Sequence, residues 1–370
     1  PAPLPTENVA ALDTEDFAVL RTTEIAALTT TQLAQGLTSD QVVALTTQQV
    51  QFGLTTEQIA ALTTDNVAAF ETADIAALTG TQAAQGLRTD QVAALTTDQV
   101  QALTTAAVAA LTTTQVAQGL TSDQVIALTN AQAQALTTAQ IAKLTTENVA
   151  AIETADIAVL RTNQIAALTT TQVAQGLTSD QIVALTTQQV QFGLTTQQIA
   201  ALTTENVAAF ETADIAALTG TQAAQGLRTD QVASLRTDQV QALTTAAVAA
   251  LTTTQVAQGL TSDQVVALTS SQAQALTTAQ IAKLTTENVA AIETADIAVL
   301  RTNQIAALTT TQIAALTTDQ IVAIETRDIA VLKTAQIVAL TTQQIRVGLT
   351  TEQLNAMSPL QVEAFTSTQF

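Results

Sequence analysis

The chain has no cysteine, histidine, tryptophan or tyrosine, and only 11 Lys and Arg against 31 Asp and Glu. Those absences exclude most site chemistry. Without imidazole or thiol there is no His base, Cys nucleophile, disulfide or Cys/His zinc site. Carboxylates, Thr hydroxyls and a few Lys remain, so the expectation is a protein that is not an enzyme, with no catalytic residue, no cofactor and no metal site to assign. The formal net charge of -20 opposes binding to a phosphate backbone, which needs clustered cations, whereas the Lys and Arg here stand singly. Nucleic acid and anionic membrane are therefore not expected partners. No apolar run approaches the ~20 residues of a membrane span. No signal peptide is read at the start, and Pro1 in place of Met suggests a processed or excised chain. Missing cysteine suits an exported protein and a cytosolic one equally.

What is present is one phrase, repeated. From Leu4 onward a Leu, Ile, Phe or Met recurs at 12, 20, 28, 37, 45, 54, 62, 70, 78 and 87 and so on to Phe365, at intervals of eight residues except for nine intervals of nine, giving 44 repeats. The consensus is L-T-T-x-Q-(V/I)-x-A, and the long units add a residue near their end, usually Gly, as at Gly36, Gly53 and Gly119. A larger period overlies the small one: residues 28–167 align without gaps to 168–307 with nine differences in 140, among them Leu33/Val173, Val42/Ile182 and Asp65/Glu205. The reading is therefore one continuous solenoid: first octads at 1–27, long copies at 28–167 and 168–307, and a divergent partial third copy with a C-terminal end at 308–370.

An α-helix turns about 100° per residue, so an apolar position repeated every eight residues drifts by roughly 80° each time and forms no stripe on a continuous helix. A coiled coil needs a period of seven or eleven. The helix must stop in every repeat, and the residues say where it restarts. In L-T-T-E-Q-I-A-A (54–61), Thr55 can cap through its hydroxyl and Gln58 can reach back to the Thr55 N–H, while Leu54 and Ile59 stand at the positions of a hydrophobic staple. Pro359 falls at the first helical position of its repeat, where a missing N–H costs nothing. Where Glu, Arg or Lys takes the cap position, as in F-E-T-A-D-I (70–75), Thr72 is the expected substitute cap. The extra Gly is expected to be a left-handed C-terminal residue turning a sharper corner.

One such helix cannot stand alone, because nucleation is costly and two buried aliphatics do not offset the backbone entropy. The expected fold is all-α, a superhelical solenoid of very short helices, one per eight-residue repeat, with Leu, Val/Ile and Ala inside and Thr, Gln and carboxylates outside. A β-solenoid is the alternative, since Thr, Val and Ile suit strands.

The candidate sites each have a plain structural explanation. Asp40, Glu57, Asp65, Asp74 and Asp98 fall in first helical turns, where acids favour the macrodipole and face solvent. Glu71 with Asp74, repeated as Glu211 with Asp214, could hold Ca²⁺ weakly, yet no D-x-D-x-D-G loop accompanies them. The Thr rows could form a hydroxyl surface for ice or carbohydrate, but capping explains their position. Arg88/Arg228, Lys143/Lys283 and Arg161/Arg301 read as solubilising, and Phe52, Phe70, Phe192 and Phe210 as core fillers.

L-T-S-D-Q-V-V-A-L at 37–45 and L-T-S-D-Q-I-V-A-L at 177–185 resemble the opening of the TAL effector repeat. This chain lacks that repeat's period, second helix and base-reading pair, so DNA recognition does not carry over. The whole chain is similar to the Thr/Ala/Gln-rich octad arrays of large bacterial surface and secreted, adhesin-like proteins. That resemblance implies an extracellular or bacterial cell-surface location and a structural role as stalk, filament, sheath or surface-layer subunit, with self-association through repeated faces. A binding module holding a protein or glycan ligand on a concave face is the alternative.

Overall fold

The computed structural model describes residues 6–369; Pro1 and Leu4, where the apolar register begins, lie outside the described residues. Among the described residues there is no strand, and the chain is all-α. Forty-one α-helices of four to seven residues and three π-helical turns follow one another, one in each of the 44 repeats. The chain divides into two compact units, Pro1–Leu185 and Thr186–Phe370. That division falls inside the second long copy, and both units are built in the same way.

The helix starts follow from the repeat's own side chains. In the helix Thr56–Ala61, Thr55 is extended (φ -78°, ψ 166°). Its Oγ1 accepts from the Gln58 N–H at 3.2 Å, and Gln58 Oε1 accepts from the Thr55 N–H at 2.8 Å. Both halves of the capping box are thus made. Leu54 and Ile59 are buried on either side of it as the staple. Pro359 stands at the first position of the helix Pro359–Glu363, capped by Ser358. The register does not shift where the cap residue changes. In the helix Thr72–Ala77 the N-cap is Glu71, which makes no side-chain cap bond, and Thr72 is the first helical residue rather than a substitute cap. The staple and the extended backbone before it hold the start in place even when the hydroxyl is missing.

An eight-residue unit closes tightly: the Leu62 N–H bonds to the Ile59 carbonyl at 3.1 Å, and the extended Leu62 begins the next repeat. A nine-residue unit closes on a wider turn. The Leu120 N–H bonds to the Gln115 carbonyl, five residues back, at 3.2 Å, and the same bond recurs from Leu54 to Gln49 at 2.9 Å and from Leu87 to Gln82 at 3.1 Å. The inserted residue is absorbed as a π-type turn, and no left-handed residue is needed. Among the described residues no residue, glycine included, has positive φ. The expectation of a left-handed Gly is therefore corrected: Gly53, for example, has φ -97°.

Space is what selects glycine. A Cβ on Gly119 would sit 3.0 Å from both the Thr89 carbonyl oxygen and Val92 Cβ, and one on Gly36 would sit 2.7 Å from the Thr6 carbonyl oxygen. The wider turn pushes this backbone onto the helix below, and only hydrogen fits. Gly119→Ala is expected to lower stability by about 1–3 kcal/mol, the usual cost of overpacking, with a urea midpoint shift as the readout.

Within each unit the helices stack with a fixed offset. Thr56–Ala61 packs on Gln82–Gly86, and Thr89–Ala94 on Thr113–Gly119, each pair being third neighbours along the chain. The core is two buried rows: the staple residues (Leu54, Leu62, Phe70) and the fourth helical residues (Ile59, Val67, Ile75).

Candidate functional site

The residue that organises the array is the third helical residue, most often Gln. Its Oε1 completes the capping box, and its amide nitrogen does something else. Gln91 Nε2 donates to the carbonyls of Ile59 and Leu62 at 2.9 and 2.8 Å. Gln124 Nε2 does so to Val92 and Leu95 at 2.8 and 2.7 Å, and Gln140 Nε2 to Val108 and Leu111 at 2.8 and 2.7 Å. Each acceptor pair belongs to the fourth helix back. Helices thus pack on their third neighbours and bond to their fourth, so one coil of the superhelix takes between three and four repeats. These glutamines are buried. Each is a three-way link joining its own cap to the C-terminal carbonyls of the coil before it, so the groups that a short helix leaves orphaned are satisfied in series. The capping box alone would accept Glu as readily as Gln. The near absence of Glu at this position was the sequence signal for the second role.

Asn takes the same position at Asn66, Asn148 and Asn288, and its Nδ2 reaches a single carbonyl, of Leu37, Leu120 and Leu260, at 3.1, 3.0 and 2.9 Å. Behind a Glu N-cap the residue is Asp, at Asp74, Asp156, Asp214, Asp296 and Asp328. All five are buried, so the expectation of solvated first-turn acids is corrected for them: the third helical position faces the preceding coil. Asp74 Oδ2, Asp156 Oδ1 and Asp214 Oδ2 have no hydrogen-bond partner, whereas Asp296 accepts from Ser270 Oγ at 2.6 Å. Burial, helped by the negative Glu71 and Glu153, pushes the Asp74 and Asp156 carboxyls up to about 6, and burial does the same for Asp214 with a smaller push from Glu211.

The acids at the second helical position, Asp40, Glu57, Asp65 and Asp98, are exposed. Glu57 is held below the usual carboxylate range by its own backbone N–H and the hydroxyls of Thr55 and Thr56. Glu71 is exposed and Asp74 buried, as are Glu211 and Asp214, so neither pair opens jointly to solvent. Among the described residues no three acids converge in a way that could hold a metal ion. The cap Thr hydroxyls are engaged with N–H groups, as Thr55, Thr96 and Thr121 show.

Arg88 is more than a solubilising cation. Its Nε and Nη2 donate to Asp90 at 3.0 and 2.8 Å, and its Nη1 reaches the carbonyls of Ala60 and Leu62 on the preceding coil. Arg228 repeats this with Asp230, Ala200 and Leu202. At Arg161 and Arg301 the backbone N–H keeps half of the capping box, bonding to Gln164 and Gln304 at 2.8 Å, while Lys143 and Lys283 are exposed. Phe70 and Phe210 fill the core, but Phe52 and Phe192 are 68% exposed at the ends of their helices and are corrected from core to surface.

No helix of the described residues is long and apolar enough to cross a membrane. No curated protein matches the chain. Among solved structures, the crystal structure of the leucine-rich repeat-containing protein LegL7 from Legionella pneumophila aligns with 74% of this chain and 86% of its own at 9% identity and a TM-score of 0.16. The ALTTAQ repeat matches at residues 9–47, 67–105, 149–187, 207–245, 240–270, 289–323 and 321–359, together more than half of the sequence. With its octads spent on capping and joining coils, the chain belongs to the ALTTAQ repeat family.

Proposed function

We propose that the chain is a structural protein, an extracellular repeat segment forming part of a stalk, filament, sheath or surface layer of a bacterium, and that it is not an enzyme. One observation carries this reading. The polar side chains that recur with the octad build the array: cap Thr hydroxyls accept from N–H groups, third-position Gln amides join coils, and Arg88 and Arg228 clamp neighbouring carbonyls. Repetition then supplies length, and an acidic, cysteine-free surface keeps the array dispersed while its repeated lateral faces meet those of other copies. Negative-stain electron microscopy at several protein concentrations, with and without Ca²⁺, tests it. Ordered filaments, tubes or sheets are expected, and separate particles at every concentration would remove the assembly role.

A second reading, a solenoid that binds a protein or glycan, is favoured by Phe52 and Phe192, large aromatics exposed at equivalent places in the two long copies. Under that reading Phe52→Ala with Phe192→Ala abolishes ligand capture on a glycan array without changing the melting curve.

A further inference from the structure

A Gln amide brings hydrogen to the oxygen-rich gap between coils, and an ionised Asp brings none. Gln91 Nε2 reaches the carbonyls 32 and 29 residues back, and Gln164 Nε2 those 31 and 28 back. The same offsets from Asp74 fall on Val42 and Leu45, and from Asp156 on Val125 and Leu128. Among the described residues no side chain donates to the Leu45 or Leu128 carbonyl. Asp74 Oδ2 and Asp156 Oδ1, both sealed from solvent, lack a donor as well. Each gap therefore sets carboxyl oxygen toward carbonyl oxygen with no hydrogen between them, and a negative charge there makes the gap repulsive.

The surroundings supply no cation. The helix Thr72–Ala77 packs on Thr47–Phe52, which has no titratable residue, and on Thr97–Ala102, whose one titratable residue is Asp98. Asp40 stands on the helix that precedes Leu45, and Glu71 is the N-cap beside Asp74. The helix Thr154–Val159 packs on Asn130–Ala135, again without a titratable residue, and on Ser179–Val183, which carries Asp180; Asp123 and Glu153 complete the set. All of these groups are acids. Two of the other buried aspartates are served differently: Asp296 accepts from Ser270 Oγ, and Arg327 Nε lies 3.7 Å from Asp328 Oδ1. A metal ion suits the gap less well than a proton, since no three acids converge among the described residues and the unpartnered oxygens are closed to solvent.

We infer that Asp74 and Asp156 are proton-operated joints: the neutral carboxyl donates its O–H to the carbonyl of Leu45 or Leu128 in place of a Gln amide, and loss of the proton to solvent releases that link between coils. The acid at each N-cap then has a purpose, because its negative charge favours the protonated form of its neighbour. Burial and Glu71 together push the Asp74 carboxyl up to about 6, and burial and Glu153 do the same for Asp156. The joint is closed in mild acid and open at neutral pH, while Gln joints such as that of Gln115 to Ala83 and Leu87 stay closed at both. The array loosens at chosen repeats, whether or not the structural role proposed above holds.

Hydrogen exchange of the full chain, read by mass spectrometry and corrected for the intrinsic effect of pH on exchange, tests this. At pH 5 the segment 71–78 is expected to exchange about tenfold more slowly than at pH 7.5, while the helix Thr113–Gly119, joined through Gln115, changes little. Asp74→Asn supplies an amide and is expected to keep 71–78 protected at both pH values. Asp74→Ala, which places there a residue the array already carries at Ala107, is expected to leave it unprotected at both. No pH dependence in the parent chain, its persistence in either variant, or an equal change at Thr113–Gly119 overturns the inference. Protection restored at pH 7.5 by CaCl₂ alone would assign the gap to a metal ion and overturn the proton as its occupant.

Discussion

Gln140→Glu is expected to lower the stability of the chain by about 3–5 kcal/mol at pH 7, the cost of a buried charge left without a partner. The substitution keeps the shape of the side chain and half of its bonding, since the carboxylate can still accept the Thr137 N–H that Gln140 Oε1 now accepts at 2.7 Å. It removes the amide that donates to Val108 and Leu111 and sets a negative charge against those two carbonyls. Loss of the cap alone would cost about 1 kcal/mol, so the size of the effect measures the link between coils. Gln48→Glu, one position earlier in its helix and exposed, is the control and is expected to stay within about 0.5 kcal/mol of the parent chain. Urea denaturation of the three proteins reads both values, and equal midpoints would mean that the glutamine does no more than cap.

The second large effect is one of pH. In the folded chain the Asp74, Asp156 and Asp214 carboxyls titrate at about 6, well above an exposed aspartate. Between the two values the folded state binds more protons than the unfolded one, so stability falls as pH rises. The contribution is fully present near pH 4 and is lost as pH passes through about 6, at about 2 kcal/mol for each site. The chain should therefore melt at a higher temperature at pH 5 than at pH 7.5. Changing all three residues to Asn, which the array already uses at Asn66 and Asn148 to reach a carbonyl, is expected to remove most of this slope and to raise stability at pH 7.5. Relief of repulsion in a chain of net charge -20 acts in the same direction. Asp40, Asp65 and Asp98 changed together to Asn discharge the exposed surface equally and should leave the slope in place. An unchanged slope in the buried triple variant would refute the assignment.

The fold was largely legible because its signals are local. The eight-residue period, the T-x-x-Q box and the Leu–Ile staple each act within a few residues of Thr55, and they placed one helix in every repeat. What escaped the sequence depends on the neighbouring coil. Gly119 has an ordinary helical backbone and is selected by Val92, a residue 27 positions away, so reasoning from turns alone misassigned its role. The second duty of Gln91, the burial of Asp74 and the clamp made by Arg88 arise in the same gap between coils. Phe52 was misread for a related reason: its composition suits a core, but the last residue of that helix points away from the stack. Thr72 was misplaced because a hydroxyl was given more weight than the staple.

The glutamine at the third helical position reaches back to the coil before it, as Gln91 and Gln140 do, and that direction bears on how such a chain is made. A coil leaving the ribosome meets carbonyls already presented by the coil synthesised before it, and its own carbonyls wait for the next. The span of each link is about 30 residues, as from Gln140 to Val108 and Leu111, and it does not grow however many octads the gene adds. Folding can therefore keep pace with translation from the first coil onward. Lengthening the array by duplication, as residues 28–167 and 168–307 record, leaves the search that each new coil must perform unchanged.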